Sequence, residues 1–432
     1  MRIEEYLDTV CAQIKWKAAK PVVREELRGH LQEHVDAFQH AGDSLELAEQ
    51  RAVAQMGDAA KTGIDLNRIH RPRYDWMLIG ALAGLMGLGL LQAALAHHQP
   101  ITLLSATIVG LVPMALFAFI NVYRLLRNKW IMLVVCLALF GGLTTLAFTE
   151  TMYDFRTTYW YNLITDVPVA LLMVAFGSWI PRIRTKGSLS LYLGSVLVCT
   201  ILMFMIPITM LALTFLVCLW AMLWQLDIKH KKLVILLLSV IGLLVVWYMT
   251  SGFTCNRASS WIEFVSSGET SAGWQYWQIK YRVAGLQWFG AGIPSLNIYQ
   301  YGSSLDEYAL IGFMWKYGLA AGLSIVAICA VALWRIYRIV LLLQDRTSRA
   351  VAIGICTYVT MQVMWNLLMN FGVTPGLLVA NLPFFSQVWP QSLILGTMFG
   401  ILIGLYRRKD NEAPTLSPVS SPHQDSHPHL TA

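Results

Sequence analysis

Ten apolar stretches, each near the roughly 20 residues needed to cross about 30 Å of hydrocarbon, constrain the 432-residue chain more than any other feature. They fall at residues 76–96, 101–123, 130–149, 159–181, 187–206, 208–226, 232–250, 309–334, 350–371 and 388–406. In a bilayer every backbone polar group must be paired within its own segment, so stretches of this kind predict helices. The fifth and sixth arise from one long apolar run. The run is divided at Pro207, because proline breaks the helical ladder and the length suits two passes.

Charge supports that division. Residues 1–75 carry 24 charged side chains (32%), whereas residues 76–406 carry 27 in 331 (8%), so the two parts face different solvents. The formal charge of +7 divides into −2 for the first 75 residues and +9 for the rest. With the N-terminus in the cytoplasm, 16 Lys/Arg side chains lie in cytoplasmic loops and the tail, and four (Arg156, Arg257, Lys280, Arg282) lie outside. Only an even number of passes through 187–226 keeps this asymmetry, which is the sign expected of inside loops. The positive charge is thus a topology signal and not a nucleic-acid footprint.

The predicted fold is all-α: ten transmembrane helices over 76–409, preceded by a small soluble three-helix domain over 1–75 and followed by a disordered cytoplasmic tail over 410–432. In the prefix, residues 2–17 form one helix, Pro21 opens a second that runs to His40, and Asp43-Ser44-Leu45-Glu46 reads as a capping box for a third that stops at Gly57. The prefix lacks an apolar signal-peptide region, and both termini are expected in the cytoplasm. Seven cysteines show no C-x-x-C spacing, which suggests neither a disulfide framework nor a zinc site. His30 and His34 lie one turn apart with no further ligand nearby and read as a solvated helix face.

The connection 251–308 is far longer than the other outside loops and is rich in glycine and aromatics, including Trp261, Trp274, Trp277, Trp288 and Phe289. Long loops without a role are uncommon, and Trp and Tyr favour the headgroup level. It is therefore expected to lie on or dip into the outer leaflet. Acidic residues at or within spans are few, and charge at low dielectric is costly and usually functional. Asp306 and Glu307 stand where this loop enters the eighth span, and Asp166 lies inside the fourth. The adjacent pair reads either as a general base at the membrane surface or as an N-terminal helix cap. Lys316, nine residues beyond Glu307, either meets an anion or snorkels to the interface. Arg257, Lys280 and Arg282 can meet an anionic headgroup or remain solvated. Gly285–Gly292 lacks the strand and βαβ context of a dinucleotide fingerprint, and no P-loop, G-x-S-x-G or H-E-x-x-H occurs.

Three stretches in the C-terminal part resemble the SEDS family of polytopic membrane proteins (FtsW, RodA, SpoVE). They are Arg257 with Gly273-Trp274-Gln275, Gln278 and Phe289-Gly290-Ala291-Gly292; Asp306-Glu307-Tyr308 with Gly318; and Thr374-Pro375-Gly376 with Leu382-Pro383-Phe384-Phe385-Ser386. Gln387-Val388-Trp389 replaces the family's Y-G-G, and Pro207-Ile208-Thr209-Met210-Leu211 its P-D-x-G-T. The prefix is similar to permease-prefix (HAAS-type) domains of Gram-positive, Bacillus-like bacteria, through Glu25-Glu26-Leu27, Gln55-Met56-Gly57-Asp58 and Leu66–Pro72.

The resemblance implies a bacterial plasma-membrane protein of cell division, elongation or sporulation that polymerises an undecaprenyl-pyrophosphate-linked disaccharide (lipid II) into peptidoglycan. It implies an inverting glycosyl transfer in which a carboxylate deprotonates the acceptor's 4-hydroxyl. Eleven residues before Gly318 the family's aspartate falls on Glu307, with Asp306 beside it, and either is the candidate base. Arg257, Lys280, Gln275, Lys316 and Ser386 are the candidate substrate-binding residues. No cofactor or protein-bound metal is expected, with a divalent cation left open; the partners implied are membrane lipids and a class B penicillin-binding protein, not nucleic acid. The alternatives are a catalytically degenerate regulatory or scaffold protein and a transporter of the lipid-linked precursor.

Overall fold

The computed structural model describes residues 2–17, 19–96, 100–128, 158–183, 185–205, 209–224, 259–263, 265–266, 274–290, 308–374, 382–385 and 389–409, with a few isolated helical positions between 134 and 242. The chain divides into two compact units, Met1–Arg73 with Arg407–Ala432, and Tyr74–Tyr406.

The first unit contains four helices where the pattern predicts three: α1 (Ile3–Gln13), α2 (Lys20–His40), α3 (Leu45–Met56) and α4 (Ala59–His70). Gly57 ends α3 at φ +80, as expected of a glycine stop, and Asp58 at once starts a new helix by accepting from the Ala60 and Lys61 amides. The expected capping box is absent. Ser44 alone caps α3, through the Leu47 amide, and Asp43 pairs with Arg51 at 2.7 Å. Tyr6, Leu7 and Val10 of α1 and Leu27, Leu31 and Val35 of α2 recur at helical spacing and form the core with Ala48, Ala52 and Val53 of α3. Gly63 lets α4 lie against α1, since a Cβ there would stand 2.7 Å from the Val10 carbonyl oxygen. On the surface Arg24, followed by Arg28, holds the Glu4 carboxyl below its usual range through hydrogen bonds of 2.7 and 2.6 Å.

The second unit is a helical membrane body. Its helices are α5 (Trp76–Ala96), α6 (Pro100–Phe119), α7 (Val122–Arg127), α8 (Thr158–Trp179), α9 (Lys186–Met205), α10 (Thr209–Trp224), α11 (Trp274–Ala284), α12 (Ala309–Tyr317), α13 (Leu319–Leu342), α14 (Arg346–Asn370) and α15 (Trp389–Arg407). No strand occurs among the described residues. Seven predicted spans coincide with single helices and the eighth is divided between α12 and α13, while the third, the seventh and the division at Pro207 fall outside the described residues. The second span stops at Phe119, and α7 is a separate turn whose N-cap, Asn121, takes the Arg124 amide. α14 is central and packs against α8, α10 and α13, while α13 also lies along α5.

Small residues govern the close approaches, as in membranes generally, where packing and not hydrophobicity separates one helix contact from another. Gly396, Gly400 and Gly404 form a stripe along α15 that meets the backbone of α6. A Cβ at Gly396 would strike the Gly110 carbonyl; at Gly400 and Gly404 it would come within 2.6 Å of the Met114 and Phe117 carbonyl oxygens. Gly400→Val is therefore expected to destabilise the membrane unit by about 1–3 kcal/mol or more, since backbone cannot yield as a side chain can. Gly194→Val, at a helical position where a Cβ would meet nothing, is the control. Thermal unfolding of the two variants in detergent checks this, and equal midpoints would refute the packing role.

Candidate functional site at the break in the eighth span

The predicted eighth span is not one helix. It breaks at Gly318, which ends α12 and starts α13 with φ +98 and ψ 161. Two constraints require glycine there. The backbone is in a region that side-chain-bearing residues avoid, and a Cβ would stand 2.6 Å from the Trp288 carbonyl oxygen and 2.8 Å from the Phe289 Cα. Gln287–Phe289, from the long connection 251–308, are thus built into the break. The Gln287 and Trp288 carbonyls accept from the Leu319 and Ala320 amides at 2.8 and 3.2 Å, which pairs two of the N–H groups that any helix leaves open at its start.

The N-terminal end of α12 is also held from elsewhere. Its N-cap position is Tyr308, with no side-chain cap; in the sequence Asp306 and Glu307 come just before it, outside the described residues. The Ile311 amide donates instead to Asn370 Oδ1 at 3.0 Å, from the last residue of α14. Asn370 Nδ2 donates to Asn366 at 2.8 Å (backbone oxygen) and 3.0 Å (Oδ1). Gln362, Asn366 and Asn370 are 2%, 1% and 1% exposed, a polar row at four-residue spacing inside an apolar helix.

Part of the connection 251–308 packs on this end of the body. Ile279 of α11 is buried against Tyr308, Ile311 and Met369, with Trp261, Val283 and Leu286 around them. The Trp261 indole donates to the Gly372 carbonyl at 3.3 Å. This part of the connection thus rests on protein, while Trp288 and Phe289 are 65% and 78% exposed.

The turn Leu382–Phe385 is buried from the other side. Phe384 adopts φ 58, a left-handed conformation that costs a side-chain-bearing residue about 1–2 kcal/mol. Glycines make room for it: a Cβ at Gly89 of α5 would be 2.8 Å from the Phe384 carbonyl oxygen, and one at Gly110 of α6 would be 2.8 Å from its ring. The Phe384 ring lies 5.8 Å from that of Phe399 of α15, and Phe385 meets Phe313 of α12 edge-on at 5.5 Å.

These contacts gather the α11 region, α12 and the Leu-Pro-Phe-Phe turn around one short helix. The family described as FtsW/RodA/SpoVE cell cycle proteins matches residues 167–411, more than half of the chain. The chain belongs to this family. Among solved structures, this FtsW/RodA/SpoVE protein is similar to a chain from a study of structural coordination of polymerization and crosslinking by a peptidoglycan synthase complex, at 18% identity and a TM-score of 0.55 over 78% of this chain and 98% of that one. It is also similar to the rod shape determining protein RodA of Thermus thermophilus, in a mutant form with one aspartate replaced by alanine, at 17% identity and a TM-score of 0.50, with the same coverage. These likenesses carry the fold, that of a polytopic integral membrane protein of the bacterial cell membrane. No curated protein matches the chain significantly.

In this FtsW/RodA/SpoVE protein two of the predicted site residues lie among the described side chains. Lys280 is exposed on α11, next to the buried Ile279. Lys316 is half-buried near the C-terminal end of α12, with its Nζ 5.3 Å from the Tyr317 ring centroid. Gln275 is in α11, but its side chain, together with Arg257, Asp306, Glu307, Asp166 and Ser386, falls outside the described residues. Tyr308 directly follows Glu307 and Phe385 directly precedes Ser386, and these two described neighbours both pack on α12. The family resemblance does not single out Asn366 or Asn370. The signal for them is their spacing, since polar residues four apart in a span must face a partner and not lipid. Among the described residues no His, Cys, Asp or Glu side chains gather into a group that could hold a metal.

Proposed function

We propose that this protein is a peptidoglycan glycosyltransferase acting at the outer face of the plasma membrane, with N- and C-termini in the cytoplasm. The substrate in this reading is an undecaprenyl-pyrophosphate-linked disaccharide. Glu307, with Asp306 beside it, removes the proton from the acceptor's 4-hydroxyl, and that oxygen attacks the anomeric carbon of the donor. The glycosidic bond forms with inversion as the bond to undecaprenyl pyrophosphate breaks. Lys280 and Arg257 supply positive charge toward the pyrophosphate, and Gln275, Lys316 and Ser386 line the remaining path. A class B penicillin-binding protein is the proposed partner that crosslinks the product.

The observation that carries this reading is the capping of α12. A carboxylate that caps a helix is occupied by that helix's amides, but here the cap position is Tyr308 and the Ile311 amide is taken by Asn370. In the sequence the two acids stand ahead of the cap, next to the helix on which the three family-like stretches meet. The test is direct. The purified full chain in lipid vesicles, supplied with labelled undecaprenyl-pyrophosphate-linked disaccharide, should release glycan strands. A folded preparation that yields none, alone or with its penicillin-binding protein, would overturn the enzymatic reading in favour of a regulatory or scaffold member, to which the loss of the Y-G-G stretch at Gln387-Val388-Trp389 points.

A further inference from the structure

The amide at Ile311 and the side chain that accepts from it belong to different spans. Asn370 could present either end of its carboxamide to α12, and Asn366 decides which. Two acceptors on Asn366, at 2.8 and 3.0 Å, take both amide protons of Asn370 and leave Oδ1 for the Ile311 N–H. All three groups are buried, Ile311 at 0% exposure and the two asparagines at 1%, so water does not compete for the bond. A start of α12 shifted by one residue would strand a buried N–H and a buried carbonyl oxygen together, which makes the register of this helix a matter of one hydrogen bond.

We propose that Asn370, oriented by Asn366, is a positioning residue. It fixes where α12 begins, directly beyond Glu307 and Tyr308, and thereby holds the Asp306–Glu307 carboxylates against the acceptor hydroxyl. This inference rests on the glycosyl transfer proposed above. Catalytic groups must be held within about 0.5 Å of the productive geometry, and a helix start pinned from a neighbouring span gives such a hold, which a loop could not. Asn370 itself touches no reacting atom in this assignment.

Two variants of the full chain in lipid nanodiscs test it, read by amide hydrogen exchange and by polymerisation kinetics. Asn370→Leu, of similar size but without the acceptor, should speed exchange over residues 308–313 roughly tenfold with α13 and the rest of α14 unchanged. It should also lower kcat by a similar factor with KM unmoved. Asn370→Asp, which keeps an acceptor for the Ile311 amide but loses both protons that Asn366 takes, should recover only part of the protection of residues 308–313 and of the turnover. Unchanged exchange in Asn370→Leu overturns the hold on α12, and so does an acceleration spread evenly through α13 and α14. Full kcat in Asn370→Leu, with wild type active, overturns the positioning role alone. A wild-type chain without glycan product overturns the underlying reading instead, and the exchange measurement separates that failure from a failure of the α12 contact.

Discussion

Alanine at both Asp306 and Glu307 is expected to lower glycan polymerisation by about 10²–10⁴-fold, the contribution of a positioned general base, while leaving donor binding nearly intact. The loss falls on kcat because the proton is transferred only as the acceptor oxygen attacks. The singles should differ. Glu307 stands eleven residues before Gly318, the family's position for the base, and Glu307→Ala should reproduce most of the double variant's loss. Asp306→Ala should cost much less. Glu307→Asp, one methylene shorter, should fall between them, since a base must come within about 2.6–3.2 Å of its proton's oxygen. Initial rates across donor concentration decide this. Undiminished polymerisation by the double variant would remove both residues from the chemistry.

The second large effect concerns a pair at the opposite end of α13. Asp75 precedes the first residue of α5, and Arg335 lies within α13. Arg335 Nε sits 3.1 and 3.0 Å from the two Asp75 carboxylate oxygens, and its Nη2 closes a second bond of 2.5 Å. Asp75 also caps α5, accepting the Leu78 amide at 3.0 Å. The Asp75 side chain is 2% exposed and that of Arg335 22%, so the two losses are unequal. Arg335→Ala leaves a buried carboxylate without a cation and is expected to cost about 3–5 kcal/mol. Asp75→Asn keeps the cap, and the partly exposed guanidinium can turn toward water, so its cost should be smaller. The double variant Asp75→Asn/Arg335→Ala should recover much of the loss of Arg335→Ala, because nothing charged is then left buried. Thermal unfolding of the four forms measures the coupling, and additive losses would show that the pair does not act as one unit.

Some of this architecture is plain in the sequence, and the rest is concealed there for physical reasons. The span 76–96 is matched by α5, Trp76–Ala96, because hydrocarbon thickness alone dictates its length. The break at Gly318 is invisible to hydropathy, since Ala309–Tyr317 and Leu319–Leu342 are both apolar and only the glycine marks the change of direction. Arg335 reads as a loop charge because the predicted span ends at residue 334, whereas α13 continues to Leu342. Charge ends a hydrophobic stretch, but it does not end a helix whose cation has an acid to meet. Asp58 escapes notice as a helix start for a related reason. A single N-cap in a short polar stretch carries less pattern than an apolar run. At the site, the family-like stretches are legible one by one. Their meeting on α12 depends on Ile279, Tyr308, Phe313 and Phe385, apolar residues whose pattern says that they are buried but not against what.

The pairing of Asp75 with Arg335 also has a temporal side. The two residues are 260 positions apart, so a ribosome adding about 5–20 residues per second completes the acid about 10–50 s before its cation. Throughout that interval the carboxylate beside the first span has the Leu78 amide but not its guanidinium, and burial in this form is unfavourable. The contact that this pair makes between α5 and α13 therefore forms only after Arg335 has been made. A nascent chain cut short before residue 335 carries an unmatched acid at the edge of its membrane region, a chemical mark by which an unfinished molecule differs from a complete one.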